Sequence, residues 1–117
     1  MNAPRRILLV DDDPNVLEIS LEVLAMSGFE IVTATDGEQA LARLHAGERF
    51  AALVTDHSMP GLSGLDLVRQ ARALDPGMHC LLVTGYGDTV EGGIEVTFLR
   101  KPFRVVELAA AVEALFT

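Results

Sequence analysis

The chain has 117 residues, half of them apolar, with one cysteine and a formal net charge of −8. That size fits one domain, expected to span residues 1–117, and that apolar share excludes a disordered chain. The acidic balance argues against a direct nucleic-acid or anionic-membrane partner, since both need basic patches.

In chain order, residues 6–10, RILLV, read as a strand buried on both faces, as near-continuous apolar runs do in parallel sheets. Residues 14–27 read as a helix with Pro14 in its first turn, Gly28 at its end, and Val16, Leu17, Ser20, Leu21 and Leu24 on one face. A second strand is expected at 30–34. A second helix follows at 36–47, with Asp36 as cap, Gln39 three residues on, and Gly47 as stop. Residues 51–55 form the third strand, and 63–74 the third helix, with Ser63 and Asp66 resembling a capping box. Strands at 80–84 and 97–100 and a last helix at 104–116 complete the pattern. This alternation predicts an α/β domain with a parallel sheet, helices on both faces and right-handed crossovers.

The connection 85–96, GYGDTVEGGIEV, breaks the pattern, because Gly85, Gly87, Gly92 and Gly93 crowd it. Glycine costs roughly 1 kcal/mol against alanine in a helix interior. A loop or single turn is expected there; a glycine-punctuated helix of two turns is the alternative.

No stretch approaches the roughly 20 apolar residues of a membrane-spanning helix. The opening MNAPRR, then a short apolar run and three aspartates, does not read as a signal peptide. Cys80 lies in an apolar run and reads as a core residue; a lone cysteine suggests a reducing compartment. A cytoplasmic protein is expected.

The acids fall at strand ends. Asp11, Asp12 and Asp13 follow the first strand and Asp56 follows the third. Ligands of open α/β sheets bind beyond the carboxyl ends of the strands, where the strand order reverses. With strand order 2-1-3-4-5, Asp11, Asp12 and Asp56 converge there, and a divalent cation such as Mg2+ would relieve their repulsion. Asp13, before Pro14, reads more simply as a helix cap. Thr84 brings a hydroxyl to the same edge, and Lys101, the single lysine, brings an ammonium. Acids, a metal, a hydroxyl and one cation suit phosphoryl transfer to an aspartate.

LLVDDD at 8–13, the pattern from Asp56 through Met59 and Pro60 to Gly64, LLVTG at 81–85 and LRKPF at 99–103 closely resemble the receiver domain of two-component response regulators. The resemblance covers nearly the whole chain. It implies a flavodoxin-like, doubly wound five-stranded sheet. It also implies that Asp56 accepts a phosphoryl group from a sensor histidine kinase or a histidine phosphotransfer protein, switching the conformation that controls a partner. By the same resemblance, Mg2+ is held by Asp11, Asp12, Asp56 and the Ser58 carbonyl. Thr84 and Lys101 then meet the phosphoryl oxygens, the Lys101–Pro102 peptide is cis, and Phe98 is the switch aromatic. Phe98 reads alternatively as a plain core residue.

The resemblance has a departure: most receivers carry a full fourth helix where this chain has the glycine-rich connection. An atypical branch with a reduced or absent fourth helix, some members linked to hybrid sensor kinases, is similar in this respect. The departure leaves the usual output surface open and the oligomeric state between monomer and weak dimer. Tyr86, two residues past Thr84, occupies a position that tunes hydrolysis of the phosphoaspartate and could shield it; loop packing is the plainer reading. Three rivals remain. An aspartate-dependent phosphatase would want a second aspartate where Ser58 stands. A nucleotide-binding module would want a phosphate-cradling loop where Asp11 to Asp13 stand. A pseudo-receiver would bind a partner without phosphorylation.

Overall fold

The structure, a computed structural model, describes residues 4–85 and 96–117. Five strands form one parallel sheet: β1 (Arg6–Val10), β2 (Glu30–Ala34), β3 (Ala52–Asp56), β4 (His79–Thr84) and β5 (Thr97–Arg100). Their order is β2-β1-β3-β4-β5, so the chain reverses direction across the sheet between β1 and β3. Four helices lie among the described residues: α1 (Pro14–Met26), α2 (Gly37–His45), α3 (Gly64–Leu74) and α4 (Val105–Ala114). The connection from β4 to β5 falls almost wholly at residues 86–95. The expectations of a reduced fourth helix and of a shielding Tyr86 therefore lie outside the described residues.

Alternation along the strands divides the core. Leu8, Val10, Leu53 and Cys80 pack on one face with Ala40, Leu44, Leu67 and Val68 of α2 and α3. Ile7, Leu9, Val54 and Leu81 pack on the other with Leu17, Leu24, Leu108 and Val112 of α1 and α4. Strands buried on both faces must be apolar at successive positions, which is why RILLV reads as it does. Cys80 is a core residue, and burial pushes its thiol pKa up to about 11.

Local chemistry sets the helix ends. Asp13 caps α1, its carboxylate accepting the Asn15 N–H at 2.9 Å. Asp36 caps α2 through the Gln39 N–H at 2.8 Å, and Ser63 caps α3 through the Asp66 N–H at 3.2 Å. Gly28 and Gly47 follow α1 and α2 with φ of 94° and 93°, a left-handed conformation that glycine adopts without steric cost.

One strand differs from the sequence expectation in a way that matters. Asp56 is the last residue of β3 rather than the first beyond it, paired in register with Val83 of β4. Its backbone is therefore held by the ladder.

Candidate functional site

Register brings the acids together. Val10 pairs with Thr55, so the next residue on each strand, Asp11 and Asp56, stand side by side at the carboxyl edge. One carboxylate oxygen from each of Asp11, Asp12 and Asp56 lies within 4.8 Å of the others. Asp11 and Asp56 are buried, at 8% and 5% exposure, whereas Asp12 is exposed. The Asp11 carboxylate accepts the Asp13 N–H at 2.9 Å, which aims it across the strand end instead of into solvent.

Lys101 reaches this cluster from two strands away. The Thr84 carbonyl accepts the Lys101 N–H at 2.7 Å, extending the β4–β5 pairing by one residue past Arg100. From there the ammonium lies 3.2 Å from Asp56 Oδ1. Two interstrand spacings are about 10 Å, a gap that only a long side chain crosses. The Lys101–Pro102 peptide is cis.

The ion pair leaves the site incompletely balanced. Asp56 Oδ1 is buried and, among the described residues, its one close polar neighbour is the Lys101 ammonium, which makes an ion pair with it and no hydrogen bond of regular geometry. Burial raises the Asp56 carboxyl pKa above its ordinary value; the Lys101 charge opposes this and the Asp12 charge adds to it. Burial likewise raises Asp11, the Asp13 N–H opposes it, and the Asp56 charge adds to the rise. Native proteins rarely leave a buried charged oxygen without a hydrogen bond. Three clustered carboxylates against one ammonium are hard oxygen donors that fit a divalent cation.

Thr84 ends β4 with its side chain buried. Ser58 is exposed in the loop after β3. That loop turns at Gly61, whose φ is +77°, and is tied to α2 where Glu38 Oε1 accepts the Leu62 N–H at 3.3 Å. Phe98, on edge strand β5, is 52% exposed, so it is not the core aromatic of the plainer reading. The structure thus brings Asp11, Asp12, Asp56 and Lys101 into one cluster. Thr84 stands on the same edge, while Phe98 lies on the surface of β5.

Comparison with known proteins gives the same answer. The sequence matches the response regulator receiver domain family over residues 7–113. The chain belongs to that family. As a receiver, it is 39% identical over 115 residues to the transcriptional regulatory protein PrrA of Mycobacterium bovis, covering 94% of this chain and 49% of that protein. It therefore spans about half the length of that curated relative. Among solved structures, a response regulator receiver protein from Sinorhizobium medicae superposes with a TM-score of 0.87 at 28% identity, covering 96% of this chain and 94% of that one. The receiver domain of the hybrid histidine kinase CckA superposes with a TM-score of 0.81 at 30% identity, covering 96% and 99%. The clustered Asp11, Asp12 and Asp56 suit the phospho-accepting, metal-binding signalling of a receiver, a domain that undergoes its own phosphorylation and dephosphorylation and is not a classical enzyme.

One residue the sequence reading passed over is His57. Its imidazole Nδ1 accepts the Leu65 N–H at 3.3 Å. No local rule marks an acceptor seven positions before a helix starts.

Proposed function

We propose that this chain is a single receiver domain of a two-component phosphorelay in which Asp56 is the phospho-acceptor. The observation that carries this is the buried Asp56 carboxylate, lying between two further carboxylates and the Lys101 ammonium that ion-pairs with its Oδ1. A carboxylate oxygen of Asp56 attacks the phosphorus of a phosphohistidine. The P–N bond breaks, and its electron pair returns to the imidazole nitrogen of a sensor histidine kinase or histidine phosphotransfer protein.

Mg2+ is the cation this donor set suits; Asp11, Asp12, Asp56 and the Ser58 carbonyl would hold it, and it would supply neutralisation of phosphoryl charge. The residues of the chain do the rest. Lys101 offsets charge on the acceptor before transfer and on a phosphoryl oxygen after it. Thr84 donates its hydroxyl to another oxygen. A phosphoryl group adds charge and acceptor oxygens, so Thr84 and Lys101 gain partners that the free site lacks, and this differential favours a second conformation. Phe98, at the surface three residues before Lys101, is the residue proposed to turn inward. Among the described residues no helix is long and apolar enough to cross a membrane, and a cytoplasmic setting follows from the proposed partners.

Incubation with acetyl phosphate and Mg2+, followed by intact mass, tests the reading. The wild type gains one phosphoryl group and Asp56→Asn gains none. Absence of any gain, with acetyl phosphate or with phosphorylated kinase, would favour a pseudo-receiver.

A further inference from the structure

The first turn of α3 leaves backbone N–H groups without helical partners, as every helix does. Here three of them are satisfied by two residues. Ser63 takes one: its hydroxyl accepts the Asp66 N–H at 3.2 Å, while its carbonyl accepts the Leu67 N–H at 2.9 Å as the first regular bond of the helix. His57 takes the other two: its carbonyl accepts the Gly64 N–H at 2.9 Å and its Nδ1 accepts the Leu65 N–H at 3.3 Å. The His57 N–H in turn donates to the Val83 carbonyl of β4 at 2.9 Å. Residue 57 is therefore anchored through its amide, its carbonyl and its ring, to a strand on one side and a helix on the other.

Gly64 makes this closeness possible. A Cβ at that position would stand 2.7 Å from the His57 Cα and would also meet the Asp56 carbonyl. The helix start thus rests directly on the backbone of the acceptor strand.

We propose that His57 is a positioning residue for the metal-binding loop: by capping α3 with its ring, it fixes the direction in which the chain leaves Asp56 and so presents the Ser58 carbonyl to the site. This rests on the reading of Asp56 and Ser58 as ligands. The side-chain bond adds a third anchor to the two made by the backbone of residue 57, in the way that groups behind metal ligands orient them. An accepting Nδ1 carries no hydrogen, so in this bond the ring N–H is the one on Nε2.

Two substitutions separate the bond from the shape. His57→Phe keeps a ring without an acceptor, and His57→Asn places an acceptor oxygen two bonds from Cβ, as Nδ1 is. Mg2+ affinity is read by calorimetry, and exchange of the Leu65 amide by NMR on the metal-free protein. His57→Phe is expected to bind Mg2+ about tenfold more weakly, and His57→Asn within about twofold of wild type, at the lower end of effects seen for groups that orient ligands. The Leu65 amide should exchange faster in His57→Phe, and the wild-type ring should show the Nε2–H tautomer. Should His57→Phe fail to fold, His57→Leu repeats the comparison. Equal Mg2+ affinity in wild type and His57→Phe, or equal weakness in His57→Phe and His57→Asn, overturns the inference and leaves the site reading standing. So does a Leu65 amide that exchanges equally fast in wild type and His57→Phe. A wild-type protein that binds no Mg2+ overturns the site reading, and this inference with it.

Discussion

At the amino end of the sheet, Arg6 lies 2.6 Å from Glu30 and 3.3 Å from Glu48, and Arg43 lies 3.1 Å from Glu48. Arg6 also stacks 4.8 Å over Phe50, and Arg5 stacks 4.4 Å over Phe116. At the carboxyl end, Asp11, Asp12 and Asp56 crowd together, with Lys101 the one cation ion-paired to any of them among the described residues. The same strands run between both ends. One end pairs its charges in partly exposed positions where they cost little; the other buries like charges around a single ion pair and leaves a carboxylate oxygen with no hydrogen bond among the described residues. The difference separates stability from function. The amino end holds strands and loops together, while the carboxyl end stores repulsion that a cation and a phosphoryl group can relieve.

Substitution can break this contrast, and the largest effect is expected where packing and site meet. Gly64→Ala forces a Cβ onto the backbone of Asp56 and His57. It should destabilise the domain by roughly 3 kcal/mol, the upper end for overpacking, and weaken Mg2+ binding as well. Chemical denaturation and calorimetry measure the two losses.

Phe116→Ala strikes the amino end alone. The ring meets His79 edge-on at 5.1 Å and Phe29 at 5.9 Å, besides Arg5. Losing these contacts should cost about 1–2 kcal/mol, given that one aromatic pair contributes about 0.5–1.5 kcal/mol beyond its burial. Phosphorylation by acetyl phosphate should proceed at the wild-type rate in the folded fraction; slowing would mean that the two ends are coupled.

The third effect has the opposite sign. Asp11→Asn and Asp56→Asn should each stabilise the metal-free protein at neutral pH by about 1 kcal/mol, an ordinary single-substitution effect. Both carboxyls have folded-state pKa values above their ordinary ones, so the folded state binds protons more readily than the unfolded chain. Stability from these groups is therefore present below the unfolded aspartate pKa of about 4 and is lost as pH rises through the raised values. The gain from either asparagine should shrink as pH falls, vanish near about pH 3, and diminish when Mg2+ is added to wild type. Thermal melts across pH measure it. A variant no more stable than wild type at pH 7 would mean that the carboxylates are not in conflict.

The smallest effect belongs to Arg6→Gln, which removes partly exposed ion pairs with Glu30 and Glu48. A slight loss of thermal stability is expected, fading in high salt as screening replaces the pairs. Mg2+ affinity should not change.

Much of the fold was legible because its causes are local. Apolar runs of strand length marked the buried strands, and Asp13, Asp36 and Ser63 announced helices through bonds to residues two or three positions on. Cys80 could be placed in the core from its neighbours alone. Boundaries shifted where the ladder outlasted the apolar pattern: β3 runs on to include Asp56 because its partner β4 does. The arginine and glutamate pairs of the amino end were not legible, since Arg6 and Glu48 are far apart in sequence and no pattern links them.

The sequence by itself determined which residues could do chemistry and that each stands near a strand's carboxyl end, because burial on both faces writes strands as apolar runs and the acids interrupt them. The tertiary structure decided which of these residues meet. Asp11 and Asp56 converge only because β1 and β3 are neighbours in register. Lys101 joins them only because β5 is placed two strands away, within a lysine's reach. His57 becomes a helix cap only because the loop after Asp56 folds back onto α3. Each is a contact between distant segments, fixed by how the strands pair and not by anything within a few residues of the side chain concerned.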